Sequence, residues 1–171
     1  MKIKKSTISN EAIFSDNEKY RYKLTKIWDE HKKKAIIIMV NPSKASELKS
    51  DRTVTNVTNF LVDHDYGGLI ILNLFAYMSS YTTELSKREN QYELKNIDYI
   101  IGSLKECTTV IIAWGSDNKK YITEKRKLEK ILIQYDDINL KCFKDDHGKK
   151  NRHPRDLTDK WVLDDYTFNF I

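Results

Sequence analysis

Three apolar runs set the strongest limit on how this chain can fold. Ala35 to Val40 (AIIIMV), Leu69 to Leu74 (LIILNL) and Val110 to Trp114 (VIIAW) are rich in isoleucine and lack polar alternation. Runs of that kind suit strands buried on both faces, as in a parallel sheet covered by helices. A fourth run, Ile138 to Phe143 (INLKCF), is more mixed. Helical spacing fills the gaps: Val54, Val57, Phe60 and Leu61 behind Asp51 as a cap, then Ile97, Ile100, Ile101 and Leu104, then Leu128, Ile131, Leu132 and Tyr135. The order β-α-β-α-β-α-β with right-handed crossovers predicts a three-layer α/β/α fold around a central four-stranded, mainly parallel sheet. Tyr20-Tyr22-Leu24 towards Trp28 and Tyr166-Phe168-Phe170 alternate like strands, and either extend the sheet or form a separate hairpin.

With 171 residues, 40% of them hydrophobic, the chain has material for one core, so residues 1–171 are read as a single domain. No run approaches the roughly 18 apolar residues of a membrane span, and MKIKKSTISNEAIF has no apolar block like that of a signal peptide. A cytoplasmic protein without membrane contact is expected. Cys107 and Cys142 have no CxxC or Cys/His cluster around them and read as buried reduced thiols. No metal and no cofactor is expected. The net charge of +5 is compatible with nucleic acid without requiring it. Five glycines and the lack of any dinucleotide, Walker, nucleophile-elbow or zincin signature argue against a dehydrogenase or a nucleotide hydrolase.

In open α/β sheets ligands bind outside the carboxyl ends of the strands. Those positions hold Asn41-Pro42-Ser43, Asn73-Leu74-Phe75-Ala76-Tyr77 and Trp114-Gly115-Ser116, with His153-Pro154 in the long polar loop after the fourth run. Asn41 can orient a water or a carbonyl, or satisfy the strand end as an Asx turn. Asn73 interrupts an apolar strand, where an amide pairs internally or reads the edge of a base. Phe75 and Tyr77 offer stacking faces or core packing. Trp114-Gly115 is a packing ring with a turn, or a place of close approach. His153 can donate to a carbonyl or a developing anion, or lie on the surface near phosphates with Lys149, Lys150, Arg152 and Arg155. Asp51 and Thr53 are an N-cap pair or a second source of carboxylate. His31, His64 and His147 are assigned nothing.

Arg21-Tyr22 with Trp28, Val40-Asn41-Pro42-Ser43-Lys44-Ala45, Asp51-Arg52-Thr53, Tyr66-Gly67-Gly68, Asn73 to Tyr77, Ala113-Trp114-Gly115 and His153-Pro154 follow one another from about Tyr20 to Leu157. This series resembles a bacterial and phage family, domain-of-unknown-function family 1643. More distantly, it is similar to the uracil-DNA glycosylase superfamily. That resemblance implies a four-stranded parallel sheet between helices, with Asn41 positioning a water and Asn73 reading the base edge. It also implies that Trp114-Gly115 supports the site and that the His153-Pro154 to Leu157 loop holds the base carbonyl. Ser43, Phe75 and Tyr77 would line the base, and Lys149, Lys150, Arg152 and Arg155 would follow the nucleic-acid backbone. The implied partners are DNA or a nucleobase, and DNA-mimicking proteins that inhibit such glycosylases.

Val40, Ser43 and Arg155 depart from the glycosylase pattern, which has Gly at the first position, Gly or Tyr at the second and a Ser-Pro pair in the late loop. A reshaped pocket is expected, and a non-catalytic relative that keeps the fold as a binding surface fits as well as a hydrolase. An enzyme acting on a free nucleotide is the third reading.

Overall fold

The computed structural model describes residues 1–116 and 120–168. The chain builds one seven-stranded mixed sheet. Its strands are β1 (Ser9–Phe14), β2 (Arg21–Ile27), β3 (Lys34–Met39), β4 (Gly68–Asn73), β5 (Thr109–Ile112), β6 (Asn139–Lys144) and β7 (Val162–Asp165), in the spatial order β1-β2-β4-β3-β5-β6-β7. The helices are α1 (Arg52–Asp63), α2 (Asn90–Leu104) and α3 (Ile122–Leu132), with short 3-10 turns at Thr82–Lys87 and Pro154–Asp156. β3 runs parallel to β4 and β5, and β5 parallel to β6; β2 joins β4, and β7 joins β6, in antiparallel register.

Strand alternation explains the layers, because successive side chains point to opposite faces. Ile37, Ile71 and Ile111 pack with Val54, Val57, Phe60 and Leu61 of α1. Their neighbours Ile36, Ile38, Ile70 and Ile112 pack with Ile100 and Leu104 of α2 and Leu128 and Leu132 of α3. The handedness of crossovers then dictates the topology. α1 carries the chain from β3 to β4 on one side of β3, whereas α2 carries it from β4 back past β3 to β5 on the other side. Two crossovers of the same hand in opposite directions must lie on opposite faces. β3 and β5 therefore flank a topological switch point, where the loops leaving the strands diverge and open a crevice.

The edges differ from the expectation of four strands with unplaced flanks. Tyr22 and Leu24 enter the sheet in β2, and β1 pairs with β2 as the edge strand, its first three residues exposed. The other edge strand is Val162–Asp165, one residue before Tyr166, so the alternation over Tyr166 and Phe168 does not mark a strand. Phe170 lies outside the described residues. Tyr166 instead turns its ring into the core under α2 and α3. Gly67 permits a close approach: a Cβ there would lie 2.0 Å from the Asp29 carbonyl oxygen. No described helix is long and apolar enough to cross a membrane.

Candidate functional site

A cleft of about 690 Å³ opens at the switch point. Its walls come from the loop after β3, the start of α1, the Ser79–Thr82 segment, Gly115-Ser116 after β5, and the Asn151–Asp156 loop. Among the described residues its lining contains four arginines, Arg21, Arg52, Arg152 and Arg155, and two aspartates, Asp51 and Asp156. Serine and threonine hydroxyls line much of the rest.

Asn41 sits where β3 ends. Its Nδ2 donates to the Ser79 carbonyl at 2.7 Å and to the Pro42 carbonyl at 3.1 Å. Both amide hydrogens are thereby spent, and Oδ1 is left as an acceptor. Ser43 Oγ donates to Asp51 Oδ2 at 2.5 Å, while Asp51 Oδ1 caps α1 by accepting the Val54 N–H at 2.9 Å. Asp51 is therefore the N-cap and Thr53 belongs to the first turn, where helical amides lack intrahelical partners and the macrodipole is positive.

His153 faces these groups from the Pro154–Asp156 turn. Its Nδ1 accepts the Arg155 N–H at 3.2 Å. A neutral ring so held carries its proton on Nε2 and is a donor there. Although the residue as a whole is exposed, the ring is hemmed in enough for desolvation to hold it below its ordinary pKa; Arg155 adds to this, and Asp51 and Asp156 oppose it. The Arg155 carbonyl accepts Asn56 Nδ2 at 2.9 Å, which ties this loop to α1. Gly115 has φ +81°, a left-handed conformation that glycine supplies without strain, and a Cβ there would come no nearer than 3.7 Å to His153.

The cleft also holds a group for which the sequence reading gave no role. Arg21, only 2% exposed, donates through one terminal nitrogen to the Ala45 carbonyl at 2.6 Å, and its Nε has no partner. Burial lowers its pKa to about 10, with the nearby Asp51 charge opposing, so it is still cationic at neutral pH. The signal was present: an arginine between two tyrosines in an alternating strand is a charge where a strand would bury apolar surface.

Asn41, Ser43, Asp51, Thr53, Gly115, Arg152, His153 and Arg155 share this cleft. The other candidates lie elsewhere. Asn73 is fully buried and lines no part of the cleft; both its amide atoms lack hydrogen-bond partners, and its register neighbour Met39 lines the cleft in its stead. Phe75 and Tyr77 follow α2, because Asn96 Nδ2 donates to the Asn73 carbonyl at 2.9 Å and Glu93 accepts the Ala76 and Tyr77 N–H groups at 2.8 and 3.1 Å. Phe75 packs against Tyr121 and carries Arg88 over its ring at 4.4 Å, and Tyr77 meets Tyr20 edge-on at 5.3 Å. Trp114 packs edge-on to Tyr166 at 6.1 Å. Lys149 and Lys150 are not part of the lining, and Lys150 Nζ lies 3.3 Å from Asp164. Arg152 Nε lies 3.1 Å from Asp145, an ion pair whose angle leaves that nitrogen without a hydrogen bond. Among the described residues no group of three or more His, Cys, Asp or Glu is placed to hold a metal ion.

Fold and cleft together define an α/β protein with an arginine-rich, hydroxyl-lined crevice at its switch point. The chain belongs to the family described as protein of unknown function DUF1643, whose sequence model matches residues 21–155. No curated protein and no solved structure matches it.

Proposed function

We propose that this protein binds nucleic acid or a nucleobase in the switch-point cleft, as a uracil-DNA-glycosylase-like domain whose core is the parallel set β4-β3-β5-β6. The observation that carries this reading is the pairing of Asn41 and His153 in one cleft. Asn41 offers a fixed acceptor, Oδ1, suited to holding a water, and His153 offers a donor, Nε2–H, suited to a base carbonyl or a departing anion. The arginines and the start of α1 supply the positive field that a phosphate backbone requires.

In a glycosidic hydrolysis on this site, the water held by Asn41 Oδ1 adds at the anomeric carbon as the bond to the base nitrogen breaks. The base leaves as an anion held by His153 Nε2–H, and takes up the proton that the water releases. Asn73 would read the base edge, and its unpaired amide is a group that such an edge would satisfy. Reaching it requires the floor beside Met39 to open, and that sealed floor favours a second reading, binding without cleavage.

Incubation with uracil- and modified-base oligonucleotides, single-stranded and duplex, tests both. Base release that Asn41→Ala abolishes supports the hydrolase, and binding without release supports the pseudo-enzyme. No binding across the panel, with thermal stabilisation by free nucleotides alone, overturns the nucleic-acid reading in favour of a small-molecule enzyme. Calorimetry against a DNA-mimicking glycosylase inhibitor asks whether the same cleft takes an acidic protein.

A further inference from the structure

The cleft continues beyond Ser79. A second hollow of about 590 Å³ shares Ser43, Ser79 and Ser80 with it and runs past Lys44 and Met78 to Tyr81. Tyr81 is 70% exposed, so its ring contributes little to the core.

What marks this ring is how firmly the chain beneath it is held. The Tyr81 N–H donates to Ser79 Oγ at 3.0 Å, and the Tyr81 carbonyl accepts the Glu84 N–H at 3.0 Å. Ser79 Oγ in turn serves Glu84 or the Tyr81 carbonyl. The Ser79 N–H donates to the Pro42 carbonyl at 2.9 Å, and its own carbonyl receives Asn41 Nδ2. An exposed aromatic is thus bolted, through a single serine, to the amide at the centre of the cleft. Glu84, the one acidic group among the described residues of this hollow, is compensated by Lys87 at 3.2 Å, and Lys44 adds a cation to the lining.

We propose that Tyr81 is a stacking platform for the base next to the nucleotide held in the cleft, so that the preferred ligand is a single strand laid from Asn41 across Ser79–Ser80 with its backbone beside Lys44. Aromatic faces accept any unpaired base, and a paired base cannot offer its face. This inference rests on the cleft reading above and adds to it the strandedness of the ligand and a second subsite.

Fluorescence anisotropy with a labelled single strand of about eight nucleotides, the matching duplex, and thymidine 5′-monophosphate as competitor tests it. The wild type should hold the single strand more tightly than the duplex or the mononucleotide. Tyr81→Ala should weaken the single strand roughly tenfold and leave the mononucleotide within about twofold, with Tyr81→Trp restoring the loss. Equal single-strand affinity in wild type and Tyr81→Ala overturns the platform, and so does an equal loss for both ligands, which would mean that Tyr81 only braces the cleft. A wild type that binds the mononucleotide but gains nothing from the strand removes the platform and leaves the cleft reading standing. No binding of either ligand removes both.

Discussion

At the carboxyl edge of the sheet, the face under α2 and α3 is sealed by rings, while the face under α1 lies open over polar groups. The sealed face has two helices and the Tyr166 segment, which bring Tyr121, Tyr166 and Arg88 over Phe75 and Trp114. The open face has one helix, entered through the long connection from Val40 to Asp51, and the space above it is left to Asn41, Arg21 and His153. Packing thus decides which of two equally placed sets of strand-end residues meets solvent. Aromatics close the edge on one side, with Lys125 and Glu129 of α3 buried among them beside Trp114 and Tyr166, whereas on the other side Asn41, His153 and the buried Arg21 line the cleft.

Substitutions that act oppositely on stability and binding can break this comparison. Phe75→Ala, on the sealed face, should cost about 3–5 kcal/mol of unfolding free energy, as truncation of a buried aromatic does, and leave the affinity of the folded protein for single strands unchanged. Urea unfolding with a parallel titration checks it; a folded variant with lost binding would place Phe75 in the ligand site after all. Arg21→Met should do the reverse. It removes a desolvated cation with one hydrogen bond, so stability should stay level or rise by about 1 kcal/mol, while nucleic-acid affinity falls tenfold or more. A variant that loses stability while its folded form keeps its affinity would make Arg21 a structural strut. Asp51→Ala should have a smaller effect, about 1 kcal/mol from loss of the α1 cap, measurable as a shift in urea midpoint without a change in slope.

The same division explains what the sequence disclosed. The unalternating isoleucines of β3, β4 and β5 are buried on both faces, so their pattern read directly as parallel, helix-covered strands. β1 and β7 escaped notice because edge strands carry polar and charged residues that mask the core pattern: only Ala12, Ile13 and Leu163 of SNEAIF and VLDD pack against the core, while Asn10 and Asp164 pair across the strands with Lys26 and Lys144. In the site, proximity to a strand end was legible but direction was not. Asn41 and His153 lie in the cleft, whereas Phe75 and Tyr77, equally close in sequence to a strand end, are drawn to α2 by Glu93 and Asn96. Which side a loop takes depends on partners far along the chain. Arg21 escaped assignment for a related reason, since its importance comes from being buried beside Asp51, 30 positions away in the sequence.

The smallest expected effect is the sharpest probe of the open face. The His153 imidazole is held below its ordinary pKa by desolvation and by Arg155, so the folded protein binds this proton less readily than the unfolded chain. Its contribution to stability is therefore present above the unfolded value near 6.5 and is lost as the pH falls through the folded value. Unfolding free energy measured from pH 8 to pH 5 should fall slightly more for the wild type than for His153→Gln, the difference opening only below about pH 6.5. An anion bound in the cleft favours the imidazolium, so a saturating single strand should raise the His153 pKa and shrink that difference. Ring-proton NMR titration reads the shift directly. A pKa unmoved by ligand would put His153 outside the bound surface and leave Asn41 without its partner.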